Sequence, residues 1–430
     1  MSLLREEIMS SELVLKYKVS QVDFTRNRKQ TFSGTVLFMM NLLRKSLSLE
    51  IENFVCHLRS ILSQPLFGRF TKSAFVQCRN KIDPEVFVHL SRRLTEEFYT
   101  DNDASIKLWQ GFRLLVIDGS LMTLPNTKEL ALEFGTTKNQ HTETVQARGS
   151  VLYDVLNGFV LDGKLSPFQI GERALALSHL DYGKENDLII YDRGYSSFDL
   201  VFEHTECNID FLMRVKIDFN NVTRAFYESG EDDEIVKIYP RHDMKREDGC
   251  YDKNTFLMVR LLRIELSSGE TEILMTSLKD EVKYPHSIFK ELYSLRWGVE
   301  TFYDELKNKL KVELFSGYSK HSILQDFYAT LFISNVQSLI VGEINEELRK
   351  KKTTKYEYKV NNNLSYGFLK YRIILLLLSQ ESADDVFFEL KGLFKRHLVP
   401  IRPDRKNHRN MTKYKWRRLP KITKNQRDSI

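Results

Sequence analysis

Residues 291–310 read ELYSLRWGVETFYDELKNKL. Tyr293, Arg296, Glu300 and Lys307 stand at offsets of 0, 3, 7 and 14. At about 100° per residue all four fall within an arc of roughly 60° on an α-helix. Leu295, Val299, Phe302, Leu306 and Leu310 collect on a separate arc. The spacing therefore predicts one amphipathic helix with an aliphatic face to bury and a polar stripe to present. Asp304 extends that stripe one turn beyond Glu300, and two like charges at this spacing oppose each other unless cations offset them. An amphipathic surface helix with routine ion pairs would carry the same residues, so the stripe needs partners elsewhere in the chain.

Two short apolar runs supply candidates. RLLVIDGS (113–120) and DLIIYDRG (187–194) each read as a buried strand that ends in an aspartate, Asp118 and Asp192. An aspartate at the polar end of such a strand is placed at a sheet edge, where a cleft forms; as an isolated feature it is more often a turn residue. Around these runs the pattern is mixed. ARGSVLYDV and GFVLDGKL flank Asn157-Gly158, a hairpin-turn dipeptide. GERALALSHL (171–180) reads as a helix, and strands are expected in IDFLMRVKIDF, EIVKIYP, TFLMVRLLRIEL and TEILMTSL between 209 and 278. From Tyr284 to about Phe394 the helical period returns, with LSYGFLKYRIILLLL (364–378) a core helix.

Residues 1–105 are helical in pattern, as in TVLFMMNLLRKSLSLEIENFV and PEVFVHLSRRLTEEF. Ser73 is the expected cap of a helix over AFVQCRNKI, and Asp83-Pro84 opens the next. Basic residues gather at Arg26, Arg28 and Lys29 and again at Arg69, Lys72, Arg79 and Lys81. They suggest a DNA-contacting helical domain, although no helix-turn-helix pattern fixes it.

The 430 residues carry a net charge of +6, unevenly spread. Residues 1–105 balance at +3 and residues 391–430 at +12, which leaves −9 for the middle. In the tail, Tyr414 and Trp416 sit among Lys413, Lys415, Arg417 and Arg418, an interleaving that suits nucleic acid. The longest purely apolar run is six residues, Ile373 to Leu378, and the N-terminus lacks a signal-peptide block. Cys56, Cys78, Cys207 and Cys250 form no C-x-x-C pair. A zinc site and a disulfide framework are therefore not expected, and the reading is of a reduced, cytoplasmic protein. No phosphate-binding glycine loop and no G-x-S-x-G is present. His141, His179 and His286 read as satisfied polar residues, and Trp297 as a packing residue.

The three segments together resemble a family. Y-x2-R-x3-E-x6-K, fulfilled by Tyr293, Arg296, Glu300 and Lys307, is the signature of a group of bacterial insertion-sequence DDE transposases. Their first aspartate motif, D-[GS]-[ST], resembles Asp118-Gly119-Ser120, and their second, D-R-G-[YF], resembles Asp192-Arg193-Gly194-Tyr195. The 108 residues from Asp192 to Glu300 suit that group's β-strand insertion.

The resemblance implies an α/β, RNase-H-like catalytic core over 106–206 and 284–345 and a β-rich insertion over 207–283. A helical, DNA-binding N-terminal domain over 1–105 precedes the core, and C-terminal helices with a basic tail over 346–430 follow it. It implies Asp118, Asp192 and Glu300 as the catalytic, metal-binding triad, with Tyr293, Arg296 and Lys307 on the phosphates of the transposon end and Arg193 assisting beside the second aspartate. It implies two Mg²⁺ ions, with Mn²⁺ as a substitute. The implied partner is double-stranded DNA, as terminal inverted repeats and target, and the implied assembly is a homodimer in the DNA complex. Cut-and-paste transposition in the bacterial cytoplasm, associated with the nucleoid, is the expected activity, in many members through a hairpin intermediate.

The chemistry agrees with the residue types. Phosphodiester cleavage develops negative charge on the attacking and leaving oxygens, which a pair of divalent cations stabilises. Carboxylates are the ligands Mg²⁺ prefers, and without metal they repel one another and rise in pKa. Two other readings use the same residues: a DNA-binding descendant without catalysis, and a stand-alone nuclease that cuts without joining.

Overall fold

The computed structural model describes residues 1–26, 29–61, 69–100, 105–138, 140, 142–241, 245–246, 249–252, 254–265, 269–350, 356–378 and 380–401. The basic tail beyond Ile401, Arg28 and His141 lie outside the described residues.

The chain begins with helices α1 (Ser2–Met9), α2 (Ser11–Tyr17), α3 (Phe32–Met40), α4 (Leu47–Ile61), α5 (Lys72–Arg79) and α6 (Glu85–Thr100). The expected helix after residue 70 is present, but its cap is Thr71, whose hydroxyl accepts from the Ala74 amide at 3.2 Å; Ser73 is already inside the first turn. Thr71 is extended where Ser73 is helical, and only an extended cap residue aims its side chain at the free amides. Asp83 does open α6, its carboxylate accepting from Glu85 N at 3.0 Å.

A mixed sheet follows. Its strands are β1 (Arg113–Thr123), β2 (Thr136–Lys138), β3 (Glu143–Asp154), β4 (Phe159–Pro167), β5 (Asp187–Tyr191), β6 (Asp210–Val215), β7 (Asp233–Ile238), β10 (Leu257–Glu265) and β11 (Thr271–Thr276), with a separate ladder of β8 (Lys245–Arg246) and β9 (Gly249–Cys250). Between them lie α7 (Lys128–Phe134), α8 (Glu172–His179), α9 (Phe198–Glu206) and α10 (Asn221–Ser229). The order is β2-β3-β1-β5-β6-β11-β10-β7, with β4 on β3. β1, β5 and β6 run parallel, while β11, β10 and β7 add antiparallel. Leu114 to Ile117 and Leu188 to Tyr191 are buried on both faces of the sheet, as strands in a covered parallel sheet are. Arg113 and Asp187 are register partners, and their side chains form a two-pronged pair at 2.7 Å for each bond, fixing β1 against β5. Residues 155–158 make the expected turn, with Gly158 at φ 79°.

The C-terminal part holds α11 (Phe289–Ser294), α12 (Trp297–Asp304), a π-helical turn over Glu305–Lys309, α13 (Lys320–Lys350), α14 (Asn362–Leu369), α15 (Arg372–Leu378) and α16 (Gln380–Arg396), with a β12 (Glu357–Val360) and β13 (Leu398–Ile401) pair. The stretch 364–378 is two helices, not one. Tyr371 takes φ 66° and its amide donates to Asn41 at 2.7 Å. Lys391 and Lys395, counted with the basic tail, are on α16 and pair with Glu343 and Glu347 of α13. Helix α13 is long and apolar enough to cross a membrane, but 72% of its apolar window is buried inside the protein.

Two compact units result. One comprises residues 1–106, 122–147 and 304–430; its core joins Leu37, Phe38, Phe87 and Leu90 to Phe332, Val336 and Ile374. The other comprises 107–121 and 148–303; its core joins Leu115, Ile117, Ile189, Phe211 and Met213 to Leu180, Phe198 and Val201.

Candidate active site

The second unit carries six of the seven site residues expected from sequence: Asp118, Asp192, Arg193, Tyr293, Arg296 and Glu300. Lys307 is in the first unit, within the π-helical turn. Burial lowers its ammonium below the usual lysine range and Glu313 opposes that shift.

Asp118 is within β1, not at its end. Burial changes from complete at Leu114–Ile117 to partial at Asp118–Ser120, yet the strand continues to Thr123. The apolar run stops where the strand's cover is interrupted, to resume at Met122, which is why sequence placed the terminus there. The Gly119 amide donates to Asp118 Oδ1 at 2.8 Å. Despite this bond the carboxyl is pushed up to about 6, chiefly by burial, with the charges of Glu300 and Glu172 adding and Arg296 opposing. Mutual repulsion was the expected cause; desolvation is the larger one. Asp192 follows β5, and its carbonyl accepts from Tyr195 N at 3.1 Å. Arg193 is exposed, its carbonyl accepting from Ser196 Oγ at 3.0 Å.

The polar stripe is carried by two helices. At 295–299 the backbone closes three-residue bonds, Gly298 N to Leu295 O at 2.9 Å and Val299 N to Arg296 O at 3.2 Å. Val155 fills the space at Gly298, 3.1 Å from where a Cβ would stand. Val299, Phe302, Leu306 and Leu310 are buried as expected, but Leu292 takes the place foreseen for Leu295. Arg296 is 7% exposed and pairs with Glu300 at 2.9 Å. Burial works against its charge, but the fields of Tyr293, Glu300 and Asp192 outweigh that and raise it. Trp297 is not a packing residue. It is 56% exposed, with the Arg296 guanidinium 4.8 Å from its ring, because the tight turn rotates it away from the apolar face.

Three buried polar atoms here have no hydrogen-bond partner among the described residues: Tyr293 Oη, Arg296 Nε and Tyr195 Oη. Burial holds both phenols above the usual tyrosine range. Each is thus a donor, and the three leave unspent donor capacity beside the acids. Asp118, Asp192 and Glu300 are oxygen ligands of the kind a hard cation takes. Among the described residues no three His, Cys, Asp or Glu side chains stand close enough together to grip an ion as they are. Glu300 is instead held by Arg296. Oxygen donor chemistry and a carboxyl lifted by burial and neighbouring acids fit a divalent cation.

Glu172 was not foreseen. It opens α8, pairs with Arg148, and lies so close to Gly119 that a Cβ there would meet its Cγ at 3.3 Å. Within GERALALSHL nothing but the structure marks it. His179 and His286 are satisfied as expected, by Ser150 and Asp162 and by the Arg263 carbonyl at 2.8 Å.

In the first unit, Arg26 and Lys29 of one basic cluster and Arg69 and Lys81 of the other line one cavity of about 620 Å³, with Asp23; Lys72 does not line it. Arg79 takes no part. It is 2% exposed and donates to Gln325, Ser316, Ser322 O and Asp326 at 2.6–3.1 Å.

Residues 109–336 match the family model described as "Transposase DDE domain", and the chain belongs to that family. Transposase InsG for insertion sequence element IS4, from Escherichia coli strain K12, is 22% identical over 288 residues, covering 64% of this chain. The chain spans 62% of that relative's length. The transposase for insertion sequence element IS231F, from Bacillus thuringiensis subsp. israelensis, is 20% identical over 365 residues, covering 74% of this chain and 73% of its own. A piggyBac transposase synaptic complex with hairpin DNA aligns at a TM-score of 0.41 and 11% identity, over 96% of this chain and 88% of that one.

Proposed function

We propose that this protein is a DNA transposase of the Tyr-Arg-Glu-Lys insertion-sequence group, cutting transposon ends and joining them to a target. Its catalytic core is RNase-H-like, a reading supported by the order β4-β3-β1-β5-β6 with β1, β5 and β6 parallel. Asp118, Asp192 and Glu300 are the catalytic carboxylates and would hold Mg²⁺, two ions with Mn²⁺ as a substitute. Bound there, the cations supply stabilisation of charge on the oxygens of the scissile phosphodiester.

The observation that carries the reading is electrostatic. Glu300, 182 residues along the chain from Asp118, raises the Asp118 carboxyl while Arg296 lowers it, and the field of Asp192 acts on Arg296. Tyr293 and Arg296 bring unspent donors to the same place, which suits a phosphate oxygen. Lys307 and Arg193 would contact phosphates of the end. The cavity with Arg26, Lys29, Arg69 and Lys81 supports DNA contact by residues 1–105, and the tail beyond 401 would add to it. The partners are double-stranded DNA, as terminal inverted repeats and target, and a second copy of the chain in the DNA complex, within the bacterial cytoplasm. Of the expected insertion over 207–283, β6 is counted with the parallel strands of the core and the remainder is read as the β-rich insertion, with 346–430 as C-terminal helices and tail.

The test is a supercoiled donor plasmid carrying the flanking repeats, incubated with protein and Mg²⁺. The wild type is expected to release and join the element. Asp118→Asn, Asp192→Asn and Glu300→Gln each abolish cleavage while end binding survives, and near wild-type cleavage by one rejects that assignment. Cutting without joined product would identify a nuclease; end binding without cleavage by the wild type would identify an inactive descendant.

A further inference from the structure

We propose that Tyr303 is a positioning residue that sets the direction of the Asp118 carboxylate from the helix that carries Glu300. The inference rests on reading Asp118 as a metal-binding catalytic residue.

Tyr303 follows Glu300 by three residues on α12 and is 7% exposed. Its Oη lies 2.9 Å from the Asp118 carbonyl oxygen and 3.3 Å from that of Gly149. Both are acceptors, so the phenol donates, and burial, foremost, keeps it protonated far above the usual range. The Asp118 carbonyl and the Gly119 amide belong to one peptide plane. The carbonyl side of that plane accepts from Tyr303, and the amide side donates to Asp118 Oδ1 at 2.8 Å. Fixing the plane fixes the amide that holds the carboxylate. One helix thus carries one acid and orients another.

A second group backs the same carbonyl. Ser150 Oγ is 3.5 Å from Asp118 O and 2.9 Å from His179 Nε2, and His179 Nδ1 is 2.7 Å from Asp162 Oδ2. The order Ser–His–Asp is that of a hydrolase relay. Here all three are buried, at 1%, 0% and 5% exposure, so no ester or peptide reaches the serine. Lys164 closes the far end on Asp162 at 3.5 Å. The chain of bonds ends on the backbone of Asp118, where its use is to stiffen the strand behind the carboxylate.

Tyr303→Phe removes one hydroxyl and leaves the ring, so its effect separates positioning from packing. It is expected to raise the Mg²⁺ concentration for half-maximal cleavage about tenfold, the lower end for a partner that orients a metal ligand. DNA-end affinity should not change. The same shift should appear without DNA or turnover, in the Mn²⁺ concentration that half-maximally raises the melting temperature. Ser150→Ala removes the longer bond to Asp118 O, together with the Ser150–His179 bond, while Tyr303 keeps its own, and should move both midpoints the same way by less. If Tyr303→Phe keeps both midpoints within twofold of wild type, the role is overturned; should that variant not fold, unchanged midpoints in Ser150→Ala overturn it. A wild type that neither cleaves nor responds to Mn²⁺ would instead overturn the reading of the acids.

Discussion

Two buried arginines, one in each unit, are used in opposite ways. Arg79 spends its guanidinium on four partners from the segment 316–326 and keeps no buried nitrogen orphaned. Arg296 is almost as buried, yet it has a single ion pair, to a glutamate whose side chain is 40% exposed, and a buried Nε without a partner among the described residues. A saturated arginine is a fastener, since removing it strands charges and acceptors. An unsaturated one retains donors for something that arrives. Both belong to basic groupings that sequence marked as DNA contacts, and only geometry separates them.

The comparison breaks first at Arg79. Arg79→Ala leaves Asp326 buried without its cation and should cost about 3–5 kcal/mol of stability by chemical denaturation. A loss near zero would show that saturation does not measure structural weight. Asp118→Asn probes the other unit with the opposite sign. A carboxyl whose folded pKa of about 6 exceeds its unfolded value of 3.8 weakens the fold as pH rises through that window. Without metal, the substitution should therefore stabilise by up to roughly 3 kcal/mol at pH 7.5. At pH 3.5 it should be nearly neutral in melting temperature.

Arg296→Ala should cost less stability than Arg79→Ala, because it leaves no buried carboxylate behind: Glu300 turns to solvent. It should nevertheless weaken end binding, as a gel-shift titration reads. Unchanged binding would remove Arg296 from the phosphate contacts. The smallest effect is expected of Lys307→Ala, which should reduce the slope of log affinity against log salt by about one unit. An unchanged slope would place that lysine off the DNA.

Local pattern made much of this legible. Runs such as Leu114–Ile117 and Leu188–Tyr191 read as buried strands because both of their faces are covered. The spacing of Val299, Phe302, Leu306 and Leu310 identified a helical face. What sequence did not reveal depends on distant partners. β1 outruns its apolar stretch, the helix stripe breaks at 295–296 where Val155 presses on Gly298, and Trp297 turns outward. Glu172 and Tyr303 carry no local mark. Each matters through Asp118, 54 residues away in one case and 185 in the other.

Helix α13 makes the order of synthesis matter. The α3 and α6 helices that sheathe it are translated more than two hundred residues earlier, whereas β12 and α16 follow it. A nascent chain thus has half a shelter waiting when this long apolar helix leaves the ribosome. Messages truncated shortly after Lys350 would yield polypeptides that bare the rest of that surface and become substrates for chaperones and proteases.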